Sequence, residues 1–124
     1  MTIRSGTVAR RRALFDEAND IIEREYARPI ELDDVARRLA TSRRQLQRAF
    51  TEAAGVSFRT HVARVRMQRA LEMLRESDMP VRDVANAVGY RQPAQFAKTF
   101  RRHHGAPPSS FRSGPGSGSG SPSA

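Results

Sequence analysis

The stretch Val35-Ala36-Arg37-Arg38-Leu39-Ala40-Thr41-Ser42-Arg43-Arg44-Gln45-Leu46-Gln47-Arg48-Ala49-Phe50 returns in altered form at Val84-Ala85-Asn86-Ala87-Val88-Gly89-Tyr90-Arg91-Gln92-Pro93-Ala94-Gln95-Phe96-Ala97-Lys98-Thr99-Phe100. Counted from the first Val, the small and apolar positions fall at 0, 1, 4, 5, 11 and 15 in one copy and at 0, 1, 4, 5, 12 and 16 in the other, so the second copy has one extra residue in its turn. Each copy reads as a short helix, a tight turn and a second helix whose apolar residues face the first. That is the spacing of a helix-turn-helix, whose second helix shows its outer face to the major groove of DNA. A plain helical hairpin would also fit one copy, but two copies in one basic chain argue against it.

Helical signals extend outward from the repeat. Leu14, Ala18, Ile21 and Ile22 form an apolar stripe running up to Pro29, which stops the helix. Leu32 joins Val35, Ala36 and Leu39 at helical spacing. Ser42 and Gln45 read as a capping box ahead of a helix with Leu46, Ala49, Phe50 and Ala53 on one side and Gly55 past its end. Ser57 to Ser77 contains neither Gly nor Pro. Pro93 suits the first turn of a helix with Phe96, Thr99 and Phe100 inside and Gly105 at its end, followed by a last short turn over Pro108 to Arg112. No run alternates with period two for long enough to make a strand. The expected fold is all-α and homeodomain-like, with about seven helices. Residues 8–56 and 78–112 make two helix-turn-helix subdomains, a linker helix spans 57–77, and a Ser/Gly/Pro/Ala tail at 113–124 is expected to be disordered.

Composition narrows the function. Of 124 residues, 22 are Lys or Arg and 13 Asp or Glu, a net charge of +9, and every basic residue but Lys98 is Arg. Residues 1–30 carry 6 basic and 5 acidic side chains, and residues 80–105 carry 5 and 1, so the excess grows toward the C-terminal half. Such a field favours polyanions, nucleic acid first. With no cysteine, disulfide frameworks and thiolate metal sites are excluded. No apolar run approaches the roughly 18 residues of a membrane span, and acidic Asp16 and Glu17 follow Arg10 to Arg12 where a signal peptide would continue apolar. A soluble protein of the cytoplasm, acting at the nucleoid, is expected.

The outer faces decide the chemistry. Outside the Leu46/Phe50 stripe lie Arg43, Arg44, Gln47, Arg48 and Thr51; outside the Phe96/Phe100 stripe lie Gln92, Ala94, Gln95, Lys98, Arg101 and Arg102. Arg and Gln match the edges of guanine and adenine. An ordinary solvated face mixes acids among bases, yet no Asp or Glu occurs between Thr41 and Thr51 or between Pro93 and Gly105. The second helix has fewer long side chains near its start, so it is expected to be weaker in base readout and stronger in phosphate contact. Along the linker, Phe58, Val62 and Val65 cluster on one side, whereas Ala63, Met67, Ala70, Leu71 and Leu74 cluster roughly 160° away at 100° per residue. Each subdomain would thus grip a different side of one helix. Its length of about 30 Å, from about 20 residues at 1.5 Å each, compares with about 34 Å between successive major grooves. One monomer would then read one asymmetric double-stranded site.

The run Arg69-Ala70-x-x-Met73-Leu74, Val81-x-x-Val84-Ala85-x-x-Val88-Gly89-Tyr90, Phe96-x-x-x-Phe100-Arg101, Gly105 and Pro108 resembles the AraC/XylS family of bacterial transcription regulators, over about Ala13 to Arg112. The resemblance implies a seven-helix DNA-binding domain with two helix-turn-helix subdomains, in a regulator that often activates by recruiting RNA polymerase. It implies base contacts from Arg44, Gln47 and Arg48 on the third helix and from Gln95 and Lys98 on the sixth. Against the family pattern, Ala40 replaces a common Gly, Gln92-Pro93 replaces a small polar cap, and Pro107 stands where Ser or Thr is frequent. With about a dozen residues ahead of the first expected helix, the chain looks like the small stand-alone members of the MarA and SoxS group.

Two other classes compete. Catalysis would need a constellation the chain does not offer: His61, His103 and His104 are its histidines, and the adjacent pair points about 100° apart on a helix, unable to chelate one metal together. No enzyme activity, metal or cofactor is expected. A non-specific nucleic-acid-binding or nucleoid-associated protein would use the same charge without base readout.

Overall fold

The computed structural model of the protein describes residues 2–112, with side chains from 6 onward; the tail at 113–124 lies outside the described residues. Six α-helices follow one another: α1 (Thr2–Glu25), α2 (Leu32–Arg38), α3 (Arg43–Ala54), α4 (Phe58–Glu76), α5 (Val81–Ala87) and α6 (Pro93–His104). A 3-10 turn at Pro108–Phe111 closes the series. No strand occurs among the described residues, and no helix there is long and apolar enough to cross a membrane. The chain divides into two units between Val65 and Arg66, within α4.

In the first unit, Phe15, Ala18, Ile21 and Ile22 of α1 bury against Val35 and Ala36 of α2, Leu46, Ala49 and Phe50 of α3, and Phe58, Val62 and Val65 of α4. Phe50 is fully enclosed, and the rings of Phe15 and Phe58 meet it edge-on at 5.0 and 5.3 Å. Helix α1 begins at Thr2, well ahead of its apolar stripe, where about a dozen leading residues were expected. It ends at Glu25 and not at Pro29, because proline disfavours helical backbone in the residue before it and the chain turns at once, with the Arg28 amide donating to the Glu25 carbonyl at 3.0 Å. Glu25 then holds the Arg38 guanidinium of α2 through two bonds of 2.9 and 2.8 Å, which keeps its carboxyl below the ordinary range.

In the second unit, Met67, Ala70 and Leu74 of α4 bury with Val84, Ala85, Val88, Phe96, Thr99 and Phe100. Ala63 and Leu71, expected on the same side, are half-buried. Phe100 meets Phe111 of the 3-10 turn edge-on at 5.4 Å, and Arg112 donates to the carbonyls of Ser77 and Met79, tying the end of the described chain to the end of α4.

The first helix of each copy closes with the same two backbone bonds. In the first copy the Ala40 amide donates to Arg37 and the Thr41 amide to Ala36, at 3.1 and 2.9 Å. In the second, Gly89 donates to Asn86 and Tyr90 to Ala85, at 3.1 and 2.9 Å. This pair of closures is the Schellman motif, and it requires a left-handed residue just past the helix. Gly89 supplies it at φ 96°, whereas Ala40 adopts φ 55° with a methyl group that disfavours it. Replacing Ala40→Gly relieves about 1–2 kcal/mol of left-handed strain at about 0.4–1 kcal/mol of backbone entropy, so a net gain of about 0.5–1 kcal/mol in the first unit is expected. A melting temperature that falls on that substitution refutes the account.

His61 of α4 stands between the rings of Phe15 and Phe50, at 5.3 and 5.5 Å. Its Nε2 donates to Asn19 Oδ1 at 2.7 Å, which leaves Nδ1 buried without a hydrogen-bond partner. Burial lowers its pKa, Arg64 lowers it further, and Glu23 opposes them. A histidine depressed in the folded state is neutral there while the unfolded one protonates from about pH 6.5 downward, so stability present above that pH is lost as acid is added. Thermal melts between pH 8 and 5 should show the first unit weakening below about pH 6.5, and His61→Gln should flatten that slope.

Candidate nucleic-acid interface

The outer face of α3 is built by its two ends. Ser42 stands at the N-cap in extended conformation and its Oγ accepts the Gln45 amide proton at 3.1 Å; Gly55 closes the other end at φ 72°. The expected capping box is half made, since no bond returns from the Gln45 side chain. Between the caps, Leu46, Ala49 and Phe50 anchor the inner side, and Arg44, Gln47, Arg48 and Thr51 are all exposed on the other. Neither Arg44 nor Arg48 has a carboxylate partner among the described residues. Arg43 is different: Asp33 of α2 binds it at 2.8 Å. The Thr51 hydroxyl is also engaged locally, donating to the Gln47 carbonyl at 3.1 Å.

Helix α6 repeats the plan with different ends. Gln92 occupies the N-cap with no side-chain cap bond, and Pro93 follows in the first turn, where its missing N–H removes one of the unsatisfied donors. Gly105 closes it at φ 83°. Phe96, Thr99 and Phe100 face inward; Gln92, Ala94, Gln95, Lys98, Arg101 and Arg102 are exposed. Its last turn carries Arg101 and Arg102, cations where the helix dipole favours them, followed by His103 and His104. His104 is held inward, its ring Nε2 3.1 Å from the Met67 carbonyl and its ring packed on Phe100 at 4.5 Å.

One residue escaped sequence reading. A hollow of about 400 Å³ on the outer side of α3 is lined by Arg44, Gln47, Arg48, Thr51 and Glu52, and also by Arg11 of α1, whose guanidinium binds Glu52. The signal was present: Arg11, Phe15, Ala18 and Ile22 recur at helical spacing, so Arg11 extends the stripe that packs on the rest of the unit.

Two short-helix, Schellman-turn, long-helix units with basic outer faces define a protein of the helix-turn-helix class. A family model described as "Helix-turn-helix domain" matches residues 35–114. The chain is 28% identical over 101 residues to the Msm operon regulatory protein of Streptococcus mutans, covering 82% of this chain and 36% of that protein. It is 30% identical over 98 residues to the lactose operon transcription activator of Staphylococcus xylosus, covering 79% and 35%. In structure it is similar to the DNA-binding domain of AdpA, solved in complex with a target DNA, with a TM-score of 0.73, 26% identity, and 79% and 88% of the two chains covered. The chain belongs to the AraC-type helix-turn-helix family, which is not an enzyme class. It spans between 13% and 38% of the length of the first curated relatives it matches.

Proposed function

We propose that this chain is a sequence-specific double-stranded DNA-binding regulator of transcription, reading base edges with Arg44, Gln47 and Arg48 of α3 and with Gln95 and Lys98 of α6. The single observation that carries this reading is the pair of exposed arginines flanking Gln47 on a fixed helix, with no carboxylate to occupy them among the described residues. Held by caps at both ends and by a packed inner face, these side chains lose little further backbone freedom on binding. Arg43, already bound to Asp33, and Thr51, bonded within its helix, serve as supporting contacts, and Gln92, Arg101 and Arg102 serve the phosphates. Similarity to a domain solved with its target DNA, and to regulators of operons, supports the same reading. We further propose that it acts in the bacterial cytoplasm, as an activator that touches RNA polymerase.

Two helix-turn-helix units in one chain make a monomer on a non-palindromic site the natural arrangement, because their outer faces differ in sequence. A duplex selected from a random library by the wild-type chain provides the probe. Footprinting on it should protect about 20 base pairs with two centres about 10 apart, and sedimentation should give one protein per duplex. Two chains on a palindrome would overturn the monomer reading, and equal affinity for random duplex would favour a non-specific nucleoid protein.

On the selected site, Arg48→Ala and Gln47→Ala should each cost about 1–3 kcal/mol and relax base preference at one position. Equal losses on selected and random duplex would show that these side chains hold only phosphates.

A further inference from the structure

Glu52 is the only acid of α3, and it lies one helical turn after Arg48, on the face that carries Arg44, Arg48 and the hollow between them. At that spacing an arginine and a glutamate on one helix are within reach of each other, a pairing worth a few tenths of a kcal/mol and weaker in this order than in the reverse. Here they do not pair. Glu52 is bound instead by Arg11, which reaches it from α1 with its side chain only 19% exposed, against 43% for Glu52. Arg11 is thus the more enclosed partner, and its Nε is buried without a hydrogen-bond partner, so the guanidinium has little to hold it in place except that carboxylate.

We propose that Arg11 is a positioning residue for DNA recognition: by occupying Glu52 it keeps the Arg48 guanidinium free for the major groove and neutralises the one negative charge on the face that meets the phosphates. The inference rests on the reading of α3 as a recognition helix. It assigns Arg11 a role through Glu52 and not through contact with DNA. Removing Arg11 frees a carboxylate that both competes for Arg48 within the helix and repels the nearest phosphates. Together these effects correspond to about a fivefold loss of affinity.

The test is a double-mutant cycle on the selected duplex, using Arg11→Met, which keeps much of the side chain's length, Glu52→Gln, and both together. Arg11→Met should weaken binding about fivefold, Glu52→Gln should tighten it about twofold, and the double variant should bind within twofold of Glu52→Gln. Arg11→Lys, which keeps the charge beside Glu52, should retain most of the affinity. If Arg11→Met lowers the melting temperature to the assay temperature, Arg11→Gln takes its place. A loss as large in the Glu52→Gln background as in the wild type would mean that Arg11 touches DNA itself, and would overturn the proposal; so would no loss at all.

A second readout needs no DNA. In the free protein, rotation about the Arg48 Nε–Cζ bond, followed by NMR, should slow in Arg11→Met and return to the wild-type rate in the double variant. An unchanged rate in Arg11→Met refutes the pairing whatever the chain binds, whereas a wild-type chain without preference for its selected duplex refutes the regulator reading and leaves the pairing result standing.

Discussion

The left-handed residue just past the first helix of each repeat is the constraint on which the rest depends. Without it the chain cannot leave α2 or α5 while satisfying that helix's last carbonyls, and the following helix would start in a different direction. With it, Thr41 and Tyr90 donate back across the turn to Ala36 and Ala85, the same bond in both copies at the same length. The direction so set turns Leu46 and Phe50, or Phe96 and Phe100, onto the core. The same rotation leaves Arg44, Gln47 and Arg48, or Gln95 and Lys98, outside. The exposure of these side chains is therefore a by-product of turn geometry and apolar spacing, with no dedicated scaffold beyond them.

That dependence explains why so much was legible. A turn that demands fixed offsets leaves a fixed pattern, and the pattern occurs twice. The residues expected inside α6, Phe96, Thr99 and Phe100, are all buried, and Ser42 and Gly55 bound α3 as their chemistry requires. The change of buried side along α4 is also there: Phe58, Val62 and Val65 are buried in the first unit and Met67, Ala70 and Leu74 in the second.

What was not legible has physical reasons of its own. Helix ends are set by local competition, so α1 stops four residues short of Pro29, and its start, in a stretch with no apolar stripe, had no signal to mark it. Pairing between distant charges leaves no periodic trace. That Asp33, in the first turn of α2, engages Arg43 while Arg44 one position later stays free depends on how α2 and α3 pack, which spacing alone does not give. Arg11 shows the same limit from the other side. Its place on the apolar stripe was visible in the sequence, but its partner was 41 positions away.

The two outer faces are unequal in a way that follows from their ends. Helix α3 begins with a serine cap and two arginines, so long donors stand at the N-terminal turn, where a helix entering the groove meets base edges. Helix α6 begins with Gln92, Pro93 and Ala94; proline stabilises the first turn by omitting a donor and fixing φ, but it contributes no hydrogen bond to a base. Its cations gather instead in the last turn, near the negative end of the helix dipole, where Arg101 and Arg102 are exposed. Phosphates flank a groove on both sides, whereas base edges lie along its floor. A helix with cations at one end and a bare start is suited to the former, and one with arginines at its start to the latter. The difference between the two outer faces thus arises from two different solutions to the same problem, how to begin a helix directly after a turn of two residues in one copy and three in the other.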